Sequence, residues 1–196
     1  FQPCKVNFMQ HKGTQVLETQ RLILRCFQPE DAPDVLLNWM GRAEAARHTS
    51  WPLLENIFEA ECLVSAWCAA YEDPHIYNWA ITRKGDGHAI GFIRAANFSD
   101  RHARCELDYA LAQQYRNAGF MTEALRGVID FLFCMVECHK ICGYCAAQNP
   151  ASGRVMEKCG MIQEGYQRAQ YKNREGVYTD MILYGILQED YLNGKA

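Results

Sequence analysis

Residues Gln113 to Leu125 read Gln-Gln-Tyr-Arg-Asn-Ala-Gly-Phe-Met-Thr-Glu-Ala-Leu, and this stretch decides the fold. It follows a strand-like run, Cys105 to Ala112, and opens a run of apolar residues at helical spacing: Leu125, Val128, Ile129, Leu132 and Val136. The pattern predicts a strand, a tight turn and the start of a helix. The unpaired N–H groups and the macrodipole at the start of a helix allow it to bind phosphate. Gly119 has no Cβ, so a ligand can approach the backbone closely there. A short glycine motif is a weak signal, so an ordinary strand-to-helix turn stays open as the alternative.

The rest of the chain predicts elements in the order β, α, α, β, β, β, α, β, α, β, β. Apolar patterns favour strands at residues 21–27, 76–83, 89–97, 105–112, 141–147, 164–171 and 177–187. Helices are expected at residues 29–40, 55–71 and 150–158 and after the loop, and the second carries an apolar stripe of Ile57, Ala60, Val64, Trp67, Cys68 and Tyr71. Residues 1–18 are predicted as an arm or a first strand. No repeat or linker interrupts the pattern, so residues 1–196 are predicted as one domain.

Charge and hydropathy argue against several classes of protein. A net charge of −3 argues against broad nucleic-acid binding, which usually shows a basic patch. No segment approaches the roughly 18 apolar residues of a membrane span. The first five residues, Phe1-Gln2-Pro3-Cys4-Lys5, carry no apolar signal region. We therefore expect a cytoplasmic protein that binds neither nucleic acid nor membrane.

The ten cysteines do not form a recognisable metal or disulfide framework. Several fall inside apolar patterns, where free cysteine behaves as a small hydrophobe. Cys142 and Cys145 resemble half a zinc site, but their odd offset on a predicted strand directs them to opposite faces. None of the six histidines lies in a pair spaced for metal binding or a catalytic triad. No metal is predicted, and the thiols are expected to be reduced, as in the cytosol.

The loop resembles the pyrophosphate loop of the GCN5-related N-acetyltransferases, whose pattern is Gln/Arg-x-x-Gly-x-Gly/Ala. Arg116-Asn117-Ala118-Gly119-Phe120-Met121 matches it except that Met121 replaces Gly or Ala. The continuation Gly-Phe-Met-Thr-Glu-Ala-Leu is similar to the RimJ and RimL branch of ribosomal-protein acetyltransferases. A second fragment supports the resemblance: Asn149, Ser152 three residues on, and a helix leading to Gly160 and Met161, where the family has Gly-Phe. The resemblance extends from about Thr19 to Leu192.

The resemblance implies an α/β (α+β) fold with a mixed, mostly antiparallel sheet of about seven strands and about four helices. The sheet splays in the middle to hold acetyl-CoA as co-substrate. The pantetheine arm would take main-chain bonds from Ala110, Leu111 and Ala112. Asn149 would bond the pantetheine amide, with a turn before Pro150 as its alternative. The pyrophosphate would rest on the amides of Arg116, Asn117, Ala118, Gly119, Phe120 and Met121. Thr122 would add a hydroxyl or simply cap the helix.

The reaction implied is direct transfer of an acetyl group from the thioester to an amine, which needs a base and an acid. Glu106 is the candidate base, and a surface ion pair is its alternative. Asp108, two residues on, is expected on the same face of the strand. Ser152 is the candidate acid toward sulfur, with helix capping as its alternative. Tyr109, expected on the face opposite to Glu106, and Tyr171 are runner-up acids.

The acceptor is the least determined part of this prediction. The resemblance to the RimJ and RimL branch implies the N-terminal α-amine of a protein, such as a ribosomal protein. A small amine (a polyamine, an amino acid or an aminoglycoside) is the second enzymatic hypothesis. A non-catalytic acyl-CoA-binding module is the rival from another class. Relatives often pair through sheet edges, which leaves a homodimer open.

Overall fold

A computed structural model describes residues 9–43, 51–173 and 175–194, and within them eight strands form one sheet. The strands are β1 (Leu17–Glu18), β2 (Leu22–Arg25), β3 (Tyr77–Arg83), β4 (Ala89–Ser99), β5 (Arg104–Leu111), β6 (Lys140–Ala146), β7 (Ile162–Lys172) and β8 (Tyr178–Leu187). Their order in the sheet is β1-β2-β3-β4-β5-β6-β8-β7. Of the alternatives for the N-terminal segment, Leu17–Glu18 is a first strand. Two residues are too short to show an alternating pattern, so the predicted count of about seven strands missed it.

Five α-helices accompany the sheet in the described part of the chain. They are α1 (Ala32–Val35), α2 (Ile57–Ala70), α3 (Phe120–Cys134), α4 (Pro150–Lys158) and α5 (Gln188–Leu192). The helix missing from the prediction is α5, a single turn after β8. None of the described helices is long and apolar enough to cross a membrane.

The helix predicted at residues 29–40 changes its winding along its length. It starts as a 3₁₀ turn, Pro29–Asp31, continues as α1 and ends as a π turn, Leu36–Met40. The amide of Gly41 donates to Leu36 O at 2.9 Å, which is the wider i to i+5 hydrogen bond of a π turn. Local apolar spacing does not separate these windings, so the prediction placed the helix correctly without resolving them.

The sheet separates two hydrophobic cores. One face buries Leu22, Ile93, Leu125 and many neighbours under α3 and α4. The other face buries Phe92 and its neighbours under α1 and α2. Ala60 and Val64 of the α2 stripe are buried as predicted. Ile57, the first residue of the helix and of the stripe, precedes the turns packed on the sheet and stays 42% exposed.

The sheet opens between β5 and β6. These parallel strands pair only from Arg104 opposite Lys140 to Leu107 opposite Gly143. Beyond that point β5 continues along β4 as far as Leu111, while β6 continues along β8. The crossover that a parallel pair requires contains α3, whose N-terminus lies after the carboxyl end of β5. The splayed sheet implied by the resemblance is therefore confirmed.

Candidate active site

The loop that joins β5 to α3 is exposed and has the backbone of a strand-to-helix turn. Gln113–Tyr115 forms a 3₁₀ turn, and Asn117 and Gly119 adopt left-handed conformations with φ of 62° and 80°. Residues 116–119 are exposed, and α3 begins at Phe120 without a side-chain cap on Gly119. The first N–H groups of a helix have no partner within it, so those of α3 are available to a ligand.

Arg21 supports this loop from the turn just before β2. Its Nη1 donates to Ala118 O at 2.9 Å, and its guanidinium lies 4.4 Å from the centre of the Phe120 ring. The rings of Phe120 and Tyr115 pack edge to face. The guanidinium carbon of Arg83 lies 5.1 Å from the centre of the Tyr115 ring. The two arginines thus enclose a pair of aromatic rings, and they place cations beside the N-terminus of α3.

Glu123 ties the first turn of α3 to the segment between β1 and β2. Its carboxylate accepts hydrogen bonds from Thr19 Oγ1 at 2.6 Å, from Arg21 N at 2.7 Å and from Arg21 Nε at 2.6 Å. Burial alone raises the pKa of Glu123, but these hydrogen bonds to the charged form outweigh it and lower that pKa. About a hundred residues separate these partners along the chain, so no local pattern predicted the contact.

Glu123→Ala is expected to lower Tm by roughly 3–12 °C at neutral pH. Hydrogen bonds to a charged group contribute about 1.5–3 kcal/mol, and in a chain of this size each kcal/mol shifts Tm by about 2–4 °C. Because the folded-state pKa lies below the unfolded value, the contribution is complete above the unfolded pKa. It disappears as pH falls through the folded pKa.

Thermal unfolding of the two proteins at pH 7 and below about pH 4 checks this expectation, since the Tm difference should shrink in acid. Glu61→Ala, at an exposed glutamate of α2, is the control and should change Tm little. A Tm difference for Glu123→Ala that is equally large in acid would contradict the assignment.

The backbone of β5 faces the opening at alternate residues. Ala112 N–H donates to Ile90 O at 2.8 Å, so its backbone groups are turned toward β4. The backbone N–H and C=O groups of successive residues point to alternate sides of a strand. Those of Ala110 therefore also point to β4, whereas those of Tyr109 and Leu111 point to the opening. Of the three residues predicted to bond the pantetheine arm, Leu111 alone directs its backbone there. Its carbonyl accepts a hydrogen bond from Arg116 Nε at 3.2 Å.

Two carboxylates lie on the face of β5 that α1 and α2 leave partly uncovered. Glu106 and Asp108 share this face, as predicted, opposite Ala96 and Arg94 of β4. Asn97 Nδ2 donates to Glu106 Oε2 at 2.8 Å, so the contact of Glu106 is to an amide. Arg94 Nε donates to Asp108 Oδ2 at 3.1 Å. Burial raises the pKa of Asp108, although Arg94 opposes the shift.

Two hydroxyl groups meet on the opposite face and bridge the opening from β5 to α4. Tyr109 O–H donates to Ser152 O at 3.0 Å, and Ser152 Oγ donates to the Tyr109 hydroxyl oxygen at 3.0 Å. Burial raises the pKa of Tyr109, which keeps the phenol protonated at neutral pH. The helix cap is Asn149, whose Oδ1 accepts from Ser152 N at 3.4 Å. Capping, the alternative proposed for Ser152, is therefore performed by its neighbour.

Three further residues named in the sequence analysis are Met121, Thr122 and Tyr171. Met121 is buried, and Thr122 is half-buried with its carbonyl accepting from Cys159 Sγ at 3.5 Å. Tyr171 lies on β7, three strands from β5 in the sheet, so the structure does not bring it to the opening.

A small aromatic pocket adjoins the carboxylate face. Its volume is about 50 Å³, and it is lined by Met40, Trp51, Trp67, Asn78, Phe92 and Arg94. The rings of Trp51 and Phe92 lie 4.9 Å apart. Because Arg94 also contacts Asp108, the pocket is connected with the carboxylates through one side chain.

Comparison with known proteins agrees with this geometry. The family described as acetyltransferase (GNAT) domain matches residues 21–162. The chain is 31% identical over 176 residues to the uncharacterized N-acetyltransferase YnaD of Bacillus subtilis, a match that covers 89% of this chain and 98% of that protein. It is 26% identical to the [ribosomal protein uS5]-alanine N-acetyltransferase of Escherichia coli, with coverage of 91% and 94%.

Two further similarities bear on substrate and fold. The chain is 28% identical over 104 residues to a spermidine N(1)-acetyltransferase of Vibrio cholerae, a match that covers 53% of this chain and 60% of that enzyme. The crystal structure of a ribosomal-protein-S5-alanine acetyltransferase from Vibrio fischeri superposes with a TM-score of 0.78 at 19% identity. It covers 90% of this chain and 98% of that one. At this identity the superposition shows a common fold.

Proposed function

The chain belongs to the acetyltransferase (GNAT) domain family, and on this premise we propose that it acetylates the N-terminal α-amine of a protein. It is an N-acetyltransferase that uses acetyl-CoA as co-substrate. The observation that carries the finer proposal is the extent of the likeness. In sequence, the uS5-alanine enzyme is matched over 94% of its length, whereas the spermidine enzyme is matched over 60%.

The opening between β5 and β6 is the proposed place of the acetyl-CoA arm. Its diphosphate rests on the amides at the start of α3, with Gly119 allowing close approach and Arg21 supplying positive charge nearby. The pantetheine chain runs along β5 and takes main-chain bonds from Leu111 and Tyr109. Asn149 uses Oδ1 in the helix cap, and its Nδ2 donates to a pantetheine carbonyl.

The thioester then lies between two faces with different chemistry. Glu106, on the carboxylate face, takes the proton from the incoming ammonium, so that the amine has a free electron pair. Asp108 and Arg94 line the approach, and the aromatic pocket accepts an apolar side chain next to the acceptor amine. On the opposite face, the hydroxyl pair of Tyr109 and Ser152 donates a proton to the departing thiolate.

Tyr109→Phe and Ser152→Ala are each expected to lower kcat by about 10²–10⁴-fold, since loss of either hydroxyl interrupts the proton-donating pair. The double variant should be no slower than the slower single variant, because the two hydroxyls act as one unit. Steady-state release of the thiol measures all three. Tyr166→Phe, at an exposed tyrosine of β7, is the control. Unchanged kcat in both single variants would remove the pair from catalysis.

A panel of acceptors tests the proposed function. The enzyme and acetyl-CoA are incubated with peptides that begin with Ala, Ser or Met, with the same peptides N-terminally blocked, and with spermidine and free amino acids. We expect thiol release and a mass increase of one acetyl group on the free peptides, and none on the blocked peptides. Turnover with spermidine and not with peptides would replace the proposal by the small-amine hypothesis.

A further inference from the structure

Three side chains able to bind a metal converge at the end of the sheet opposite the loop that joins β5 to α3. His11 precedes β1, His75 precedes β3, and Asp100 lies in the turn between β4 and β5. One ligand atom from each lies within 4.8 Å of the other two. The His11 Nε2 atom is 3.1 Å from Asp100 Oδ1, and the two imidazole rings have their centres 4.2 Å apart.

Both imidazoles are held by their Nδ1 edges. His11 Nδ1 hydrogen-bonds with the Tyr77 hydroxyl at 3.2 Å, and His75 Nδ1 hydrogen-bonds with Asp73 Oδ1 at 2.9 Å. Metal-binding histidines almost always have their second nitrogen fixed in this way, because the outer contact sets the ring orientation and the tautomer. Each ring thus keeps Nε2 as the atom that can bind an ion.

The cluster combines a shielded side with an open side. The His11 side chain is 9% exposed and packs on Phe98 with ring centres 5.2 Å apart. The Asp100 side chain is 56% exposed, and that of His75 is 57% exposed, so an ion has access from solvent. The carboxylate of Asp100, as a ligand, and that of Asp73, which contacts His75 Nδ1, together balance the charge of a divalent cation.

We propose that His11, His75 and Asp100 bind one divalent first-row transition ion of the zinc class, with water completing the coordination. Two imidazole nitrogens and one carboxylate oxygen form a donor set that zinc uses in proteins. The ion would join three segments, since His75 lies 64 residues after His11 and Asp100 lies 25 residues after His75. It would therefore clamp the segment before β1 onto the sheet, at the end opposite the loop that joins β5 to α3.

The site lies far from the phosphate-binding loop. Asp100 precedes the first residue of β5, and the loop follows its last residue, Leu111. Eight residues of extended strand separate the two ends, which corresponds to about 26 Å. Metal binding and binding of the acetyl-CoA diphosphate therefore involve separate parts of the molecule, so either can fail without the other.

Cobalt(II) is the probe because its spectrum distinguishes nitrogen and oxygen ligands from thiolates, and nine cysteines are free in the described residues. Titration of the metal-free, reduced protein should give visible bands of one bound ion without a thiolate charge-transfer band. His75→Ala and Asp100→Asn, both at exposed positions, should each weaken binding at least tenfold. His139→Ala, at an exposed histidine outside the cluster, should bind like the wild type.

Thermal unfolding supplies the second readout, because an ion that binds only the folded chain raises Tm. Zinc should raise the Tm of the wild type and of His139→Ala but not of His75→Ala. Circular dichroism of each variant confirms that it is folded, and acetyl transfer by His75→Ala should equal that of the wild type. Absence of binding, a thiolate band, or equal affinity in His75→Ala would overturn the proposal.

Discussion

Glu106→Gln is expected to lower kcat for acetyl transfer by about 10²–10⁴-fold and to leave the affinity for acetyl-CoA nearly unchanged. A positioned base contributes a factor of this size, and an amide cannot take the proton of the incoming ammonium. The substitution is close to isosteric, and the glutamine oxygen can still accept the hydrogen bond from Asn97. The expected loss is therefore one of chemistry, with the local packing retained.

Steady-state thiol release at saturating acetyl-CoA, together with cofactor binding by calorimetry, separates kcat from affinity. Asp108→Asn is the matched variant, since it changes the neighbouring carboxylate on the same face. A large loss in Asp108→Asn with normal turnover in Glu106→Gln would transfer the base role to Asp108, whose pKa is raised by burial. Normal turnover in both would contradict the proposed mechanism.

Gly119→Val is expected to weaken binding of acetyl-CoA by about a hundredfold. Gly119 has φ of 80°, and the nearest atom to an added Cβ is Arg21 Nη2 at 3.4 Å, so the position is open toward the proposed diphosphate. A branched side chain there would separate the diphosphate from the amides at the start of α3. Loss of one or two charge-assisted hydrogen bonds, each worth about 1.5–3 kcal/mol, accounts for this factor.

Backbone strain must be separated from this effect, because valine in a left-handed conformation destabilises any turn by about 1–2 kcal/mol. Gly176→Val is the matched control. Gly176 has φ of 82°, and its nearest neighbour is Lys172 Cε at 3.8 Å, in the turn between β7 and β8. Both variants should lose stability to a similar extent, and only Gly119→Val should lose affinity in calorimetry. Equal affinities in the two would show that the loop does not hold the diphosphate.

The sequence predicted the parts of the site that local pattern determines. The strand that ends at Leu111, the turn at Gly119 and the start of α3 follow from an apolar period that changes from strand to helix. The prediction that Glu106 and Asp108 share a face, with Tyr109 opposite, follows from alternation along a strand and is confirmed by the register with β4.

The parts that it missed depend on contacts between distant segments. Asn149, expected mainly as a ligand of pantetheine, also caps α4, and Ser152 turns its hydroxyl to Tyr109 across the opening. Glu123 and Arg21 are joined only because α3 lies over the start of β2. The same holds for His11, His75 and Asp100, which no sequence spacing relates. Such contacts follow from the topology of the fold, which brings distant segments together, and local sequence patterns do not predict them.

The opening between β5 and β6 also has a mechanical consequence. Four residues of each strand join the two halves of the sheet directly, and past Leu107 the bond between Tyr109 and Ser152 spans the gap. A pantetheine arm that forms backbone hydrogen bonds in the opening would connect the two halves of the sheet. Without the cofactor, the two halves of the sheet should therefore move most readily relative to each other at the opening between β5 and β6. This motion should decrease when acetyl-CoA is bound there.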